Sequence, residues 1–309
     1  MTRIKNYLSL IKFSHTIFAM PFAMIGFFLG QLQRPVAGKK NLNQAIGWNY
    51  WIGKDLFTGF AGKLVLVVIC MILARSAAMA FNRWLDRSFD AKNPRTAIRE
   101  IPAGIISANS ALAFTVISAF LFILTTYFIN QLCFYLSPVA LLVVLGYSYT
   151  KRFTPLCHLV LGIGLSLAPI GAYLAVTGAF AFLPILFSFA VIFWVSGFDI
   201  IYALQDEEFD KSQQLYSMPS WVGKSKALNI SVFLHMLSAL CVVWAGLYGG
   251  FGWWYWIGVL IFVGMLIYQH SIVKAHDLSK VNLAFMTANG IASVVFSVFV
   301  ITDLFARGS

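Results

Sequence analysis

The sequence predicts an all-α integral membrane protein of about nine transmembrane helices. Three observations carry this. The 309 residues are 60% hydrophobic and only 11% charged, the mean hydropathy is +0.81, and long apolar runs recur along the whole chain with short polar connections between them. A helical span takes roughly 20 apolar residues, and a chain this poor in charge is neither disordered nor a water-soluble domain.

The elements follow in order. Ile4, Leu8 and Ile11 recur at helical spacing among Arg3, Lys5 and Lys12, the pattern of a short helix lying in the membrane interface over residues 1–14. This basic start leads into an apolar run, as in a signal peptide, but no A-x-A-like cleavage site follows, so the run is read as the first retained span. Spans are predicted at Ile17–Leu32, Lys63–Ala80, Ala111–Phe128, Leu132–Tyr149, Leu159–Val176, Phe182–Phe198, Ile230–Leu247, Trp254–Tyr268 and Leu283–Phe305. Pro21, Pro138 and Pro169 fall within spans as candidate kinks, and Gly26 with Gly30 forms a GxxxG pair suited to close helix contact. No repeat or low-complexity tract divides the chain, so residues 1–309 read as one domain. Its longest polar connections are Gln33–Gly62, Arg83–Ser110 and Asp206–Leu228.

The distribution of charge orients the bundle. With the amino terminus on the cytoplasmic side, the inner connections carry 15 of the 22 Lys and Arg residues and the outer ones 6, with Arg75 left inside a span. The positive-inside rule favours this topology, which corresponds to a multi-pass protein with residues 83–110 and 206–228 as cytoplasmic cap loops. A formal charge of +11 fits anionic lipid headgroups or an anionic substrate. The bases are scattered between apolar runs, which argues against nucleic acid, and nothing calls for an obligate protein partner. Cys70, Cys133, Cys157 and Cys241 sit singly in apolar stretches and read as inert thiols. The five histidines show no ligand spacing and receive no role.

Seven of the eleven acids fall in two short segments. Asn82, Asp86 and Asp90 recur every four residues, and Asp199, Tyr202, Asp206 and Asp210 are offset by three, four and four, so each set occupies one helix face. Both sets end an apolar span, and an even number of spans separates them, which puts both on the basic side. A single such Asp is explained equally well as a solvated helix end paired with a neighbouring base. Two matched acidic stripes at a membrane edge are unfavourable alone, and a divalent cation reverses that cost. Oxygen-only ligands suit Mg²⁺, with Mn²⁺ as an alternative, and Mg²⁺ is typically held by one or two carboxylates completed by substrate phosphates.

On these residues the chain resembles the UbiA-type intramembrane prenyltransferases. Their NxxxDxxxD signature is present as Asn82-Arg-Trp-Leu-Asp86-Arg-Ser-Phe-Asp90, and the second acidic motif as Asp199-Ile-Ile-Tyr202-Ala-Leu-Gln-Asp206-Glu-Glu-Phe-Asp210. Tyr149-Thr-Lys-Arg152 is similar to the family's basic loop between the fourth and fifth spans. Ile11–Phe22, Asn93-Pro-Arg-Thr96 and Ser217-Met-Pro-Ser220 to Gly223 are most similar to the 4-hydroxybenzoate polyprenyltransferase branch, with departures at Met218 and Trp221-Val222. Naphthoate and haem prenyltransferases share the acidic motifs and stay open as alternatives.

The resemblance implies a helical bundle around a central cavity open to lipid and transfer of a polyprenyl group from polyprenyl diphosphate to an aromatic acceptor, in ubiquinone or menaquinone biosynthesis. It implies two Mg²⁺ ions held by Asp86, Asp90, Asp206 and Asp210, with Asn82 and Asp199 as further ligands. Lys151 and Arg152 would neutralise the leaving group, Arg95 would make a closing contact, and Tyr202 would order a carboxylate, position the acceptor or simply pack. An ion-coupled transporter, the alternative from another class, places its acids nearer the bilayer midplane. Phosphatidyl transfer to alcohols is disfavoured because no DGxxAR element follows the first acids.

Overall fold

The computed structural model describes residues 2–12, 18–32 and 59–308. The described chain is helical almost throughout: α1 (Thr2–Leu10), α2 (Met20–Leu32), α3 (Phe60–Leu85), α4 (Arg87–Lys92), α5 (Ala108–Ile129), α6 (Gln131–Thr150), α7 (Cys157–Thr177), α8 (Phe182–Ala203), α9 (Glu207–Ser212), α10 (Met218–Val222), α11 (Lys224–Tyr248), α12 (Trp253–Ile272), α13 (Val281–Leu283) and α14 (Asn289–Gly308). Among the described residues the one β pairing is an isolated Lys274–Asp277 bridge. Among the described residues, eight helices are long and apolar enough to cross a membrane: α3, α5, α6, α7, α8, α11, α12 and α14. The ninth predicted span is represented by the apolar helix α2, 13 residues long. Ile17, His15 and residues 33–58 of the first long connection, with Asp55 and four of its bases, lie outside the described residues.

Several helices outrun the apolar stretches that announced them. Lys63–Ala80 lies within α3, which runs on to Leu85, and Ile230–Leu247 lies within α11, which starts at Lys224. Hydropathy marks the hydrocarbon layer, whereas backbone hydrogen bonding continues into polar surroundings until a cap or a turn ends it. Pro138 and Pro169 are internal to α6 and α7. Pro21 instead occupies the first turn of α2, where its missing N–H costs nothing.

Within a bilayer, lipid tails are as apolar as leucine, so close packing and interhelical hydrogen bonds hold the bundle together. The GxxxG pair sits on such a contact. A Cβ on Gly26 would collide with the Pro169 carbonyl of α7, and one on Gly30 would come 2.9 Å from Val176. Serine hydroxyls donate across helices: Ser188 to the Ser166 carbonyl at 2.8 Å, Ser231 to Gly197 at 2.7 Å, Ser238 to Ala190 at 2.8 Å and Ser297 to Pro21 at 2.8 Å. Helix α8 lies between α7 and α11, and its Trp194 and Phe187 join Phe22, Tyr255, Phe262 and Phe296 in a fully buried aromatic core. Phe120, Leu142, Leu240 and Leu260 remain exposed, as a lipid-facing surface requires.

Two local devices shape the ends of α12 and α14. Asp303 of α14, almost fully buried, accepts from the backbone N–H of Gly252 at 2.9 Å and of Tyr255 at 3.4 Å, capping α12. Ahead of α14 the backbone makes a π-helical turn, Ala284–Ala288. The Asn289 carboxamide donates to the Ala284 and Phe285 carbonyls at 3.2 and 3.1 Å and accepts from Trp194 Nε1 and Gln269 Nε2 at 2.9 and 2.8 Å.

Candidate active site

Each acidic motif begins on a long helix whose regular α winding is interrupted at its middle acid. Asp86 follows the last residue of α3 and precedes α4, with φ −90° and ψ 5°. Asp206 ends a 3₁₀ turn, Leu204–Asp206, and precedes α9, with φ −105° and ψ 6°. Both stand in the sparsely populated bridge region between helix and strand. The distortion is local: the Asp86 N–H still donates to the Asn82 carbonyl at 2.9 Å and the Asp90 N–H to that of Asp86 at 2.8 Å, so the four-residue spacing of the first motif is kept. Like charges four residues apart are offset by separate basic partners, Arg99 at Asp90 and Lys151 at Asp210.

All ten residues singled out in the sequence, Asn82, Asp86, Asp90, Arg95, Lys151, Arg152, Asp199, Tyr202, Asp206 and Asp210, line one polar cavity of about 580 Å³. Each acid of the two motifs has its own basic partner. Arg152 Nη2 donates to Asp86 Oδ1 at 2.9 Å, while Asn82 Nδ2 donates to Oδ2 at 3.0 Å. Arg99 Nη1 donates to Asp90 Oδ1 at 2.6 Å. Asp90 Oδ2 is buried without a hydrogen bond, and Arg83 Nη1 stands 3.9 Å from it. The Arg95 guanidinium grips Asp206 with Nε at 3.0 Å and with Nη2, while Asn93 Nδ2 adds a third bond at 3.2 Å. Lys151 Nζ lies 2.7 Å from Oδ1 of the fully buried Asp210. Asp199 Oδ2 lies 2.7 Å from His158 Nδ1.

Tyr202 is joined to this network through Arg95, whose Nη1 donates to the Tyr202 hydroxyl at 2.9 Å and whose Cζ lies 5.2 Å from the ring centroid. The opposite contact of Tyr202 is Phe285, with centroids 4.3 Å apart; Phe285 in turn meets Phe18 and Phe198 at 5.2 and 5.5 Å. The π-helical turn thus places an aromatic ring on the wall of the polar cavity. Segments far apart in sequence meet here as well: besides the Asp206 contacts, Lys92 Nζ donates to Gln213 at 3.3 Å, and the Tyr216 amide donates to the Lys151 carbonyl at 2.7 Å.

Burial and charge tune the groups at the edge of the spans. Burial lifts the Asp86 carboxyl above the usual range, with Arg152 pulling the other way. Burial depresses the Lys151 ammonium, but the adjacent Asp210 outweighs it and holds the group above an ordinary lysine. Arg95 is likewise raised, desolvation being overcome by its bonds to Asp206.

A second, apolar cavity of about 410 Å³ adjoins the first between α3, α6 and α7. Arg75, Met79, Tyr147, Leu161 and Leu165 line both and form the neck between them. Arg75 Nε makes no hydrogen bond. The residue continues the first motif inward, since Arg75, Asn82, Asp86 and Asp90 are spaced seven, four and four. That spacing was the signal that could have singled it out.

Other functional neighbours escaped sequence reasoning for a different reason. His158, given no role there, bonds Asp199 across 41 residues of sequence; Arg99 and Asn93 likewise serve Asp90 and Asp206 from outside either motif. Lys211, by contrast, pairs with Glu207 at 2.6 Å on its own short helix.

The donor set fits hard divalent cations. The acids offer oxygen alone, and among their buried carboxylate oxygens Asp90 Oδ2 and both oxygens of Asp210 make no hydrogen bond. Among the described residues no three His, Cys, Asp or Glu side chains stand close enough together to hold an ion by themselves. A site that leaves coordination positions for phosphate oxygens has this character.

Comparison with known proteins identifies a family. The family model described as the UbiA prenyltransferase family matches residues 45–291. A 4-hydroxybenzoate octaprenyltransferase of Nitrosomonas europaea is 31% identical over 263 residues, 84% of this chain and 88% of that protein, and one from Burkholderia ambifaria is 32% identical over 248 residues, 80% and 84% of the two chains. Among solved structures, the apo form of a UbiA homologue from Aeropyrum pernix superposes with a TM-score of 0.74 at 24% identity, covering 95% of this chain and 98% of that one. With its helical bundle, its two acidic motifs facing one cavity, and a family match spanning most of its length, the chain belongs to the UbiA prenyltransferase family.

Proposed function

We propose that the protein transfers a polyprenyl group from polyprenyl diphosphate to the ring of an aromatic acid, with 4-hydroxybenzoate as the first candidate acceptor, in quinone biosynthesis. The observation that carries this reading is the pairing of an acid- and base-lined cavity with an apolar chamber through one neck. A diphosphate head with a hydrocarbon tail has that shape and that division of polarity. The names of the relatives in Nitrosomonas and Burkholderia support the acceptor.

Two bound Mg²⁺ ions, or Mn²⁺ in their place, would neutralise the diphosphate oxygens and ease departure of the leaving group. Asp86, Asp90, Asp206 and Asp210 would hold them, with Asn82 and Asp199 as further ligands. Lys151 and Arg152, which pair with Asp210 and Asp86, would bind the leaving diphosphate, Arg as a fork and Lys as a point charge. The allylic C–O bond breaks with its electron pair on the diphosphate, the acceptor ring carbon forms the new C–C bond, and the ring proton is lost. Phe18, Phe198 and Phe285 line the cavity, and an aromatic face turned to an allylic cation stabilises it by about 0.5–2 kcal/mol for each favourable contact. Arg75 at the neck binds the acceptor carboxylate, because an arginine in a span is costly until an anion pairs with it. Residues 83–110 and 206–228 act as a cytoplasmic cap that keeps water from the cation, and α1 lies in the interface.

The test is to incubate membranes containing the protein with labelled polyprenyl diphosphate, Mg²⁺ and a panel of hydroxybenzoates and naphthoates, and to identify the product by mass. A prenylated hydroxybenzoate that disappears with chelator and returns with Mg²⁺ is expected. No prenylated product from any acceptor, together with ion flux in sealed vesicles that is lost in Asp210→Asn, would overturn the reading in favour of a transporter.

A further inference from the structure

Four of the five motif acids are paired with a lysine or an arginine, and the fifth, Asp199, is paired with a histidine. The difference lies in what holds that histidine. The Met218 backbone N–H points at His158 Nε2 from 3.1 Å, and an amide N–H only donates, so Nε2 is the acceptor. The ring proton therefore resides on Nδ1, where it is donated to Asp199 Oδ2 at 2.7 Å. The ring is buried, its backbone carbonyl accepts from Ser196 Oγ at 3.2 Å, and both nitrogens are satisfied. Asp199 itself is about a quarter exposed toward the cavity, and its second oxygen makes no hydrogen bond among the described residues.

We propose that His158 is a positioning residue: locked by the Met218 amide, it fixes Asp199 so that Oδ1 is presented to the cavity as a ligand, and it ties that setting to docking of the Ser217–Gly223 segment. The proposal deepens the metal reading given above and rests on it. Carboxylate ligands held by a hydrogen-bonded outer partner lose metal affinity when the partner is removed. Here the partner bridges α7, α8 and the start of α10, so the ligand is set only when all three are in place.

The experiment measures Mn²⁺ binding by electron paramagnetic resonance on the full-length protein in detergent, alongside prenyl transfer and thermal midpoint, for His158→Leu, His158→Gln, Asp199→Asn and His158→Leu/Asp199→Asn. His158→Leu is expected to weaken Mn²⁺ binding by about ten- to a hundredfold. Glutamine carries a donor and an acceptor at similar reach, so His158→Gln should bind within about threefold of wild type. Because His158 acts through Asp199, the double variant should bind no more weakly than Asp199→Asn alone.

Wild-type affinity in His158→Leu, or losses that add in the double variant, would overturn the proposal while leaving the prenyl-transfer reading intact. If His158→Leu fails to fold, His158→Gln decides: a folded His158→Gln that binds as weakly as Asp199→Asn overturns the proposal too. A wild-type protein that transfers prenyl groups without binding Mn²⁺ would remove the metal reading and this proposal with it.

Discussion

Replacing Gly162 by alanine tests whether close approach of two helices sets the site. Gly162 of α7 faces α8 so tightly that an added Cβ would lie 2.5 Å from the Ile192 carbonyl oxygen and 2.6 Å from Ser196 Oγ. Ordinary contact begins near 3.4 Å, so the helices must part by about 0.9 Å at this level. One turn away on the antiparallel pair, His158 and Asp199 share their 2.7 Å hydrogen bond. If the separation is transmitted, the bond opens to roughly 3.6 Å, past the limit of a real hydrogen bond. Overpacking costs about 1–3 kcal/mol, against a gain of roughly 0.5–1 kcal/mol for alanine over glycine inside a helix. The expected outcome is a lower thermal midpoint in detergent and a substantial fall in prenyl transfer, about a hundredfold where misplacement approaches 1 Å. Gly146, inside α6, is the control, since nothing lies within 4 Å of its added Cβ; Gly146→Ala should be slightly stabilised and fully active. A Gly162→Ala protein with wild-type rate and a midpoint raised like that of Gly146→Ala would refute the reasoning.

Three further outcomes are expected. Asp86→Asn and Asp206→Asn should each abolish prenyl transfer while the protein stays folded and inserted, as judged by monodispersity and helical content; full activity in both would remove the metal assignment. Arg75→Gln should raise the KM for the aromatic acid at least tenfold and leave that for the polyprenyl diphosphate within about twofold, the pattern of a lost charged contact to one substrate; an equal rise in both would place Arg75 elsewhere. Asp303→Ala strips two backbone N–H groups at the start of α12 of their acceptor and should cost about 1–3 kcal/mol, read as a fall in thermal midpoint with the KM values unchanged.

Hydropathy located the spans because a helix in hydrocarbon must be apolar over its length: Ala111–Phe128 and Leu132–Tyr149 correspond to α5 and α6 within three residues at each end. The same signal ended too early for α3, whose last turn carries Asn82 and Arg83 into the polar cavity. Asn82, Asp86 and Asp90 were legible because their partners lie four residues away along one stretch of chain. His158 was not, since its significance depends on α7 meeting α8 at Gly162 and on the amide of Met218, neither of which leaves a local pattern. Arg99 was counted only as one base among several, and only the turn at 93–106 brings it to Asp90.

The interrupted winding at Asp86 and Asp206 bears on what the two signatures demand of the chain. Their backbone angles, near −90° and 5° in one and −105° and 6° in the other, lie where any L-residue can sit. The interruption therefore places no demand on the identity of the side chain, and aspartate is required at those two positions by what the oxygens do. An asparagine of the same shape leaves the backbone standing while it removes the charge and turns one acceptor oxygen toward Arg152, Asn82 or Arg95 into a donor, so architecture and reactivity can be tampered with one at a time.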